Sequence, residues 1–401
     1  MILDMFTPKR VYLDYAAATP LAKGALKAMR PWLTGSGYGN PSAIHKEGVA
    51  ARVAVEEARL SLARTLGIRT NEIIFTGSGT EANNLAIAGS VHNFASTSDL
   101  SQSEVITTAI EHPSVTKVLQ SLQQQGLTVH HTKLDDSGII DTNYLQTLLN
   151  KNTTLVTFSY ANSEVGVIQP VRRISRLVRK YNQAHGTSIK IHVDGAQAPL
   201  WLSCDVHALG VDMLSLDAGK CFGPKGVGIL AKLAATEIKP VQFGGGQEAG
   251  LRAGTENVAG IIGAAVALQT AQADYKQCST KVAAVRDAAI IHILKEIPNA
   301  VLNGTTGTDR LANNINISIP GLDTEFATVV LDKQGFAVST KSACAGAGGG
   351  ASTVVTAITG DPTRAASTLR ISLGPDTKLS DLKRLAKVLK EHLEKMHDIL
   401  T

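Results

Sequence analysis

Helical and strand-like patterns alternate from about residue 53 to residue 193, and this alternation restricts the possible folds more than any other feature of the chain. In one clear unit, an apolar run at 72–76 ends in glycine, and a helical pattern with Leu85 and Ala88 inward follows from Thr80. Strands are predicted at 72–76, 104–108, 154–160, 189–194, 213–216 and 227–230, and a helix at 171–185. The pattern predicts an α/β domain in which helices cover a mostly parallel sheet.

The pattern changes after the glycines at 244–246. Two alanine-rich helical stretches are predicted at about 258–276 and 281–294, followed by short strands at 314–319 and 368–373. A closing helix is indicated by Leu382, Leu385 and Leu389, which share one face. We therefore expect residues 21–262 to form a large α/β domain and residues 263–401 a smaller α+β domain, with residues 1–20 as an N-terminal arm of the smaller one.

Composition excludes several classes of protein. The 401 residues are 44% hydrophobic, and 39 basic against 34 acidic residues give a net charge of only +5 without a long basic run, which gives little support to direct nucleic-acid binding. No apolar run approaches the roughly 20 residues that a membrane helix needs, and residues 1–10 mix acidic and basic groups. We expect a cytoplasmic protein without membrane contact. The four cysteines include no CxxC pair, so no metal site is expected.

Three segments carry groups with chemical potential. Residues 77–81 form a glycine turn between a strand and a helix, where backbone N–H groups attract a phosphate; alone, the segment is equally consistent with an ordinary capped turn. Asp194 ends an apolar strand, at the edge where α/β proteins bind ligands, and alone it is equally consistent with a helix cap. Lys220 precedes a rigid turn at 221–226, where an amine is positioned for Schiff-base chemistry. In this order, the three are the parts of a pyridoxal phosphate site.

With these segments, the chain resembles the cysteine desulfurases, which are class V aminotransferases of fold type I that use pyridoxal phosphate. The resemblance implies a fold type I transferase, with a mostly parallel seven-stranded sheet in the large domain and a smaller α+β domain. It extends over nearly the whole chain. The matching segments are 13–15, 39–42 with His45, 80–81, 111–112, Asn162 with 164–166, the Asp194 strand, the Lys220 turn, 244–246 with 252–257, 342–344 and 369–374.

The resemblance implies a role for each group around the cofactor ring. Lys220 would carry the cofactor covalently, Asp194 would keep the pyridine nitrogen protonated, and His112 would stack on the ring and assist proton transfer. Asn162 and Gln197 would contact the side of the ring that bears the phenolic oxygen.

Further residues are implied at the two ends of the site. The backbone of Gly79 and Thr80 would hold the phosphate, and Thr255 would reach it from the partner subunit, so a homodimer is expected. Arg370 would clamp the carboxylate of the substrate with its planar guanidinium, and Asn40 would lie near the same pocket.

Cys344 would distinguish the chain from plain aminotransferases, because it lies in a glycine-rich segment whose length resembles the long-loop, group I desulfurases. The implied reaction converts L-cysteine to L-alanine and leaves the sulfur on Cys344 as a persulfide. An iron–sulfur scaffold, a sulfur relay protein or a tRNA thiolation enzyme would then accept it. The thiol needs a base or cation nearby, and Lys341 and His112 are the candidates. The other cysteines, Cys204, Cys221 and Cys278, are expected to be packing residues.

Three segments depart from the family pattern: 217–219, Lys341, where a glycine is common, and 345–351, which stand in place of the usual Leu-Glu-Pro-Ser stretch. Members usually have Ser-Gly-His before the lysine, whereas Asp217, Ala218 and Gly219 stand here. A carboxylate beside a phosphate is unfavourable, so either Asp217 points elsewhere and bonds to backbone groups, or a cation or a retained proton relieves the repulsion.

Two alternative functions stay open at this point. The first is a selenocysteine lyase of the same fold, which sequence does not separate well from a desulfurase. The second is a non-catalytic, cofactor-binding scaffold protein, which the altered segment 217–219 suggests. The presence of Lys220, Asp194, His112, Arg370 and Cys344 together argues against that second alternative.

Overall fold

The computed structural model describes residues 9–35, 37–95, 99–340 and 350–400, with the backbone alone for 397–400. The strands within these residues are β1 (Val11–Tyr12), β2 (Ile73–Thr76), β3 (Glu104–Thr107), β4 (Thr128–His131), β5 (Thr153–Ser159), β6 (Lys190–Asp194), β7 (Met213–Asp217), β8 (Gly228–Lys232), β9 (Val301–Leu302), β10 (Asn314–Ser318), β11 (Phe336–Ala337) and β12 (Thr368–Ser372). The helices within them are α1 (Lys23–Leu33), α2 (Lys46–Leu66), α3 (Gly79–Ala95), α4 (Pro113–Gln123), α5 (Thr142–Leu148), α6 (Val171–His185), α7 (Val206–Leu209), α8 (Val258–Glu296), α9 (Thr324–Lys333), α10 (Thr353–Thr359), α11 (Pro362–Ala366) and α12 (Leu379–Leu400).

The main sheet of the described chain has seven strands in the order β2-β8-β7-β6-β5-β3-β4. Strand β8 runs antiparallel to both of its neighbours, while β3, β4, β5, β6 and β7 pair in parallel. This confirms the predicted α/β fold with a mostly parallel seven-stranded sheet. Each of the six strands predicted for this region lies within two residues of its observed bounds.

Alternate residues of the strands pack on opposite faces of the sheet, because successive side chains of a strand point to opposite sides. Ile74 and Leu155 join a buried cluster with α3 and α4, whereas their neighbours Ile73 and Val156 join a second cluster with α2, α6 and α8. Both faces of the sheet are therefore buried, which explains why its strands are continuous apolar runs in the sequence.

The sequence did not predict β4, the edge strand. Its residues, Thr-Val-His-His, are half-buried or exposed, so they form no apolar run. A strand that is paired on one side needs less burial than a central one, and its signal in the sequence is weaker.

The two helical stretches predicted at 258–276 and 281–294 are one 39-residue helix, α8, so the predicted break is wrong. Residues 277–280 include neither glycine nor proline, so nothing there interrupts the backbone hydrogen bonds. α8 packs against α1 and α2 and also against α12. The division into domains at residues 20 and 262 stays a prediction.

A second group of strands joins the two ends of the chain. β9, β10 and β12 form an antiparallel sheet, as the predicted strands at 314–319 and 368–373 require. β1 pairs in parallel with β11, so residues near the N-terminus lie beside the C-terminal third. In the described part of the chain, no helix combines the length and apolar character needed to cross a membrane.

Gly228 is the point where the glycine turn 77–79 lies directly on the sheet. It begins β8 and pairs with Thr76 on one side and Asp217 on the other. A Cβ atom at Gly228 would lie 2.2 Å from the carbonyl carbon and oxygen of Ser78, which are backbone atoms that cannot rotate away.

Gly228→Ala should therefore destabilise the protein by more than about 2 kcal/mol, because the turn must shift to admit the methyl group. The matched control is Gly24→Ala in α1, where the new Cβ would meet Val266 at an ordinary 3.9 Å and alanine favours the helix. The measurement is the urea unfolding midpoint at constant slope. Equal midpoints for the two variants would contradict the close contact.

Candidate active site

The carboxyl ends of the parallel strands β5, β6 and β7 meet at one edge of the main sheet, and a cavity opens there. Its volume is about 390 Å³. The register places Ser159 of β5 and Ser215 of β7 beside Asp194 of β6. The cavity lining brings together five of the predicted site residues: His112, Asn162, Asp194, Gln197 and Lys220.

Lys220 ends a short 3₁₀ turn, Ala218–Lys220, that follows β7. The backbone on its C-terminal side is fixed, because the N–H of Phe222 donates to Thr19 Oγ1 at 2.7 Å. Phe222 itself has a φ of 63°, a conformation that is strained for a residue with a side chain. Within the described ranges, no hydrogen bond or ion pair engages the Lys220 amine. The turn therefore delivers a free amine to the cavity.

Asp194, Asn83, Ser114 and His112 form one chain of hydrogen bonds. The buried Asp194 carboxylate accepts from Asn83 Nδ2 at 2.8 Å and from the Ala196 N–H at 3.0 Å. The same Asn83 nitrogen donates to Ser114 Oγ at 2.8 Å. Because that hydroxyl accepts from Asn83, its own proton is directed to His112 Nδ1, which lies 2.7 Å away. The carboxylate and the imidazole are thus oriented by the same two side chains.

His112 caps helix α4, whose first residue is Pro113. Its Nδ1 accepts the backbone N–H of Ser114 at 3.1 Å, so Nδ1 carries no proton and we assign the proton to Nε2. Burial lowers the pKa of His112, and the nearby positive charge of Lys220 lowers it further. The imidazole is therefore neutral at neutral pH, with an N–H available at Nε2.

Glu111 is a buried carboxyl group in the wall of the same cavity. Its two oxygens accept from the hydroxyl groups of Thr108, at 2.6 Å, and Ser159, at 2.5 Å. Burial raises the pKa of Glu111 to about 7, and the negative charge of Asp194 adds to the effect. Close to neutral pH, this group can therefore hold a proton beside the site.

Asn162 and Gln197 line the cavity and also hold the backbone around it. Asn162 Oδ1 accepts two N–H groups of the turn that follows, at 2.8 and 2.9 Å, and its Nδ2 donates to the Ile110 carbonyl at 2.8 Å. Gln197 Nε2 donates to the Ala16 carbonyl at 2.9 Å. Their predicted contact with a cofactor ring stays a prediction.

Arg370 lies in β12 and is almost fully buried. One guanidinium nitrogen pairs with Asp14 at 2.8 Å, and another donates to the carbonyl of Ser163, a residue of the cavity wall, at 3.2 Å. The third nitrogen, Nε, is buried without a partner among the described residues. Arg370 therefore reaches the wall of the cavity with one donor unsatisfied.

Besides Arg370, four predicted site residues are not among the described residues that line the cavity. Gly79 and Thr80 begin α3, where Gly79 is buried and Thr80 is exposed. Thr255 is exposed, in the segment of the chain between β8 and α8. Asn40 is also exposed, and its side chain accepts a backbone N–H of its own turn at 2.9 Å. The roles of all four stay predictions.

The described cysteines have the environment of packing residues. Cys204 and Cys221 are buried, and burial raises the pKa of both thiols, that of Cys221 to about 12. Cys278 is half-buried, and burial raises its pKa as well. None of these thiols is activated as a nucleophile. Cys344 and Lys341 lie outside the described residues.

The structure also answers the question about Asp217. Its carboxylate accepts the N–H of Gly219 at 2.9 Å and that of Gly79 at 3.2 Å. The bonding to backbone groups that the first alternative predicted is confirmed. Its expectation that Asp217 points elsewhere is wrong, because one of the two donors, Gly79, belongs to the turn predicted to hold phosphate.

Sequence reasoning missed Asn83 and Ser114, which link Asp194 to His112. A signal for Asn83 was present: it follows Gly79 by four residues, so it lies on the helix face that begins at the glycine turn. Ser114 sits two residues after His112, a spacing at which a hydroxyl readily bonds a capping side chain.

The sequence matches the family described as Aminotransferase class-V over residues 11–385. A cysteine desulfurase IscS of Dictyoglomus turgidum is 38% identical over 98% of this chain and 96% of its own, and one of Methanosarcina thermophila is 36% identical over 98% and 94%. Among solved structures, a NifS-like protein superposes with a TM-score of 0.87 at 31% identity, covering 96% of this chain and 99% of its own. SspA in complex with cysteine superposes with a TM-score of 0.76 at 32% identity, covering 91% and 99%.

The raised pKa of Glu111 predicts a pH-dependent stability. The folded protein keeps this proton up to about pH 7, whereas the unfolded chain releases it near the ordinary value of 4.5. The free energy of unfolding should therefore fall as pH rises through this window, by at most about 3 kcal/mol from this group. Glu111→Gln, which cannot titrate, should remove that part of the slope.

The measurement is urea unfolding of both proteins between about pH 5 and about pH 8. Glu57→Gln, on the exposed face of α2, is the matched control and should leave the slope unchanged. A Glu111→Gln protein with the pH slope of the parent would contradict the assignment.

Proposed function

Because this chain belongs to the aminotransferase class-V family and is a cysteine desulfurase by its full-length similarity to such enzymes, we propose that it converts L-cysteine to L-alanine at the cavity beside β6, with pyridoxal phosphate as cofactor. The observation that carries the proposal is the meeting of Lys220, Asp194 and His112 in one cavity. A cysteine complex of a structural relative supports the choice of substrate.

The residues of the cavity fit the ring of this cofactor. The aldehyde of the cofactor requires an amine, and Lys220 offers one that has no partner among the described residues. Its protonated pyridine nitrogen requires a carboxylate, and its ring can pack against the neutral imidazole. Lys220 would hold the cofactor covalently, Asp194 would pair with its ring nitrogen, and His112 would pack on the ring. When bound, the cofactor supplies an electron sink for the bonds at the Cα of the substrate.

The chain's own side chains then orient the substrate and move protons. Once released by the incoming amino acid, the Lys220 amine would take the proton from Cα. His112, neutral and protonated at Nε2, would donate a proton and later recover it. Asp194 would be held in place by the donors Asn83 and Ala196.

Arg370 would bind the carboxylate of the substrate. Its Nε is the buried donor without a partner, and its contact with Ser163 places the guanidinium against the cavity wall. A carboxylate at this place would satisfy the orphaned donor and offset the burial of the positive charge.

Cys344 would be the sulfur acceptor. Its thiolate attacks the sulfur of the substrate, so that an S–S bond forms while the Cβ–S bond breaks and the electron pair of that bond stays with carbon. Proton return to Cβ and Cα completes L-alanine, and the sulfur remains on Cys344 as a persulfide. We further propose that a homodimer completes the site through Thr255. In the cytoplasm, an iron–sulfur scaffold, a sulfur relay protein or a tRNA thiolation enzyme would accept the sulfur.

Lys220→Ala should abolish alanine formation, by at least about 100-fold, because both the covalent attachment and the base are lost. The fold should persist, since the amine has no partner among the described residues. Borohydride reduction of the cofactor-loaded parent, followed by peptide mass spectrometry, should place the cofactor on Lys220. The exposed Lys225→Ala, five residues along, is the control and should keep the label. A label that survives Lys220→Ala would refute the assignment.

Cys344→Ala should keep the visible absorbance of the bound cofactor and lose sulfide release in the presence of a reductant. Cys278→Ala, the half-buried cysteine of α8, is the matched control and should release sulfide at the parent rate. Turnover of selenocysteine, measured beside that of cysteine, checks the lyase alternative: rapid cleavage of selenocysteine with none of cysteine would replace the proposed substrate. Sulfide release by Cys344→Ala at the parent rate would show that the nucleophile is another residue.

A further inference from the structure

Backbone N–H groups at the start of α3 and in the turn before it donate to carboxylates of this chain. The Gly77 N–H donates to Glu81 Oε2 at 2.6 Å, and the Gly79 N–H donates to Asp217 Oδ2 at 3.2 Å. Such N–H groups, together with the positive end of the helix, are what a phosphate uses when it binds at a helix N-terminus.

The two carboxylates differ in how their charge is balanced. Glu81 pairs with Arg252 at 3.0 Å, so its negative charge is compensated. Asp217 has no lysine or arginine at ion-pair distance among the described residues, and its contacts there are the two backbone N–H groups. Its charge also reaches the site, because it opposes the lowering of the His112 pKa. Asp217 is thus a carboxylate at the phosphate end that has no ion-pair partner among the described residues.

The space beside the Gly79 N–H leaves little room for both the Asp217 carboxylate and a phosphate. A Cβ atom on Gly79 would lie only 3.1 Å from Asp217 Cβ and 3.2 Å from its Oδ2, so the aspartate side chain lies directly against the turn. The sheet fixes this proximity, because Asp217 pairs with Gly228 of β8, and Gly228 lies beneath Ser78. A phosphate on the Gly79 N–H must therefore displace the carboxylate or lie within reach of its charge.

We propose that Asp217 is an internal competitor for the phosphate of the cofactor, which makes the protein bind pyridoxal phosphate weakly and discriminate little between it and pyridoxal. This inference rests on the proposed function, since it presumes that the cofactor is held at Lys220. The ring end of the site fits the cofactor, whereas the phosphate end carries a charge of the wrong sign. Occupancy would then follow the free concentration of cofactor.

The test is a comparison of affinities in cofactor-free protein. Asp217→Asn keeps the shape and an oxygen that accepts the Gly219 N–H, but it removes the charge. We expect this variant to bind pyridoxal phosphate about tenfold or more tightly than the parent, measured by titration of the visible absorbance. The affinity for pyridoxal, which has no phosphate, should change by less than about twofold.

The matched control is Asp205→Asn, the same change at an aspartate that caps α7 and bonds the Ala208 N–H at 2.8 Å. It should leave both affinities unchanged. Asp217→Ser is a second variant, which removes the charge with a smaller side chain and should also tighten binding of pyridoxal phosphate. Thermal unfolding of each variant establishes that it is folded before titration.

The outcomes separate this inference from the proposed function. If parent and both Asp217 variants form a Lys220 adduct but bind pyridoxal phosphate equally well, the competition is overturned while the proposed function stands. Weaker binding by the variants would show that Asp217 assists the phosphate, which also overturns it. If neither pyridoxal nor pyridoxal phosphate forms an adduct with any of the proteins, the proposed function itself fails.

Discussion

The parallel pairing of β6 with β5 and β7 is the constraint from which the site is built. Because these strands run in the same direction, their carboxyl ends reach the same edge, and Asp194 comes to lie beside Ser159 and Ser215. The turn after β7 then presents Lys220 to the space that Asp194 faces. A shift of β6 by one residue would turn Asp194 to the other face of the sheet and remove the carboxylate from the cavity.

The electrostatics of this edge arise from burial more than from direct ion pairs. Glu111 is buried with hydroxyl donors alone, and its pKa is raised to about 7. His192 lies two residues before Asp194 in β6 and is buried between Thr157 and Ser215. Burial lowers the pKa of His192 to about 4. Burial thus favours the neutral forms of both groups, while the charges of Asp194 and Lys220 remain next to the cavity.

The two ends of the chain meet where the substrate carboxylate is proposed to bind. β1 pairs with β11, and Asp14, just after β1, pairs with Arg370 of β12. The position of the guanidinium therefore depends on a segment some 350 residues away in sequence. Such contacts join the N-terminal segment and the C-terminal strands to the cavity of the main sheet, so the substrate end of the site forms only in the complete fold.

The sequence by itself determined the strands β2, β3, β5, β6, β7 and β8. It also placed Asp194 at the end of β6 and Lys220 after β7. Apolar runs and glycine turns are local records of burial and backbone conformation, so both are readable from neighbouring residues. Only the tertiary structure decided that α8 is continuous, that Asn83 links Asp194 to Ser114, and that the Asp217 carboxylate occupies the Gly79 N–H. Asn83 and Asp194 are 111 residues apart, and Gly79 and Asp217 are 138 apart. The partner of a polar group over such distances is set by the packing of the whole sheet, which no local pattern records.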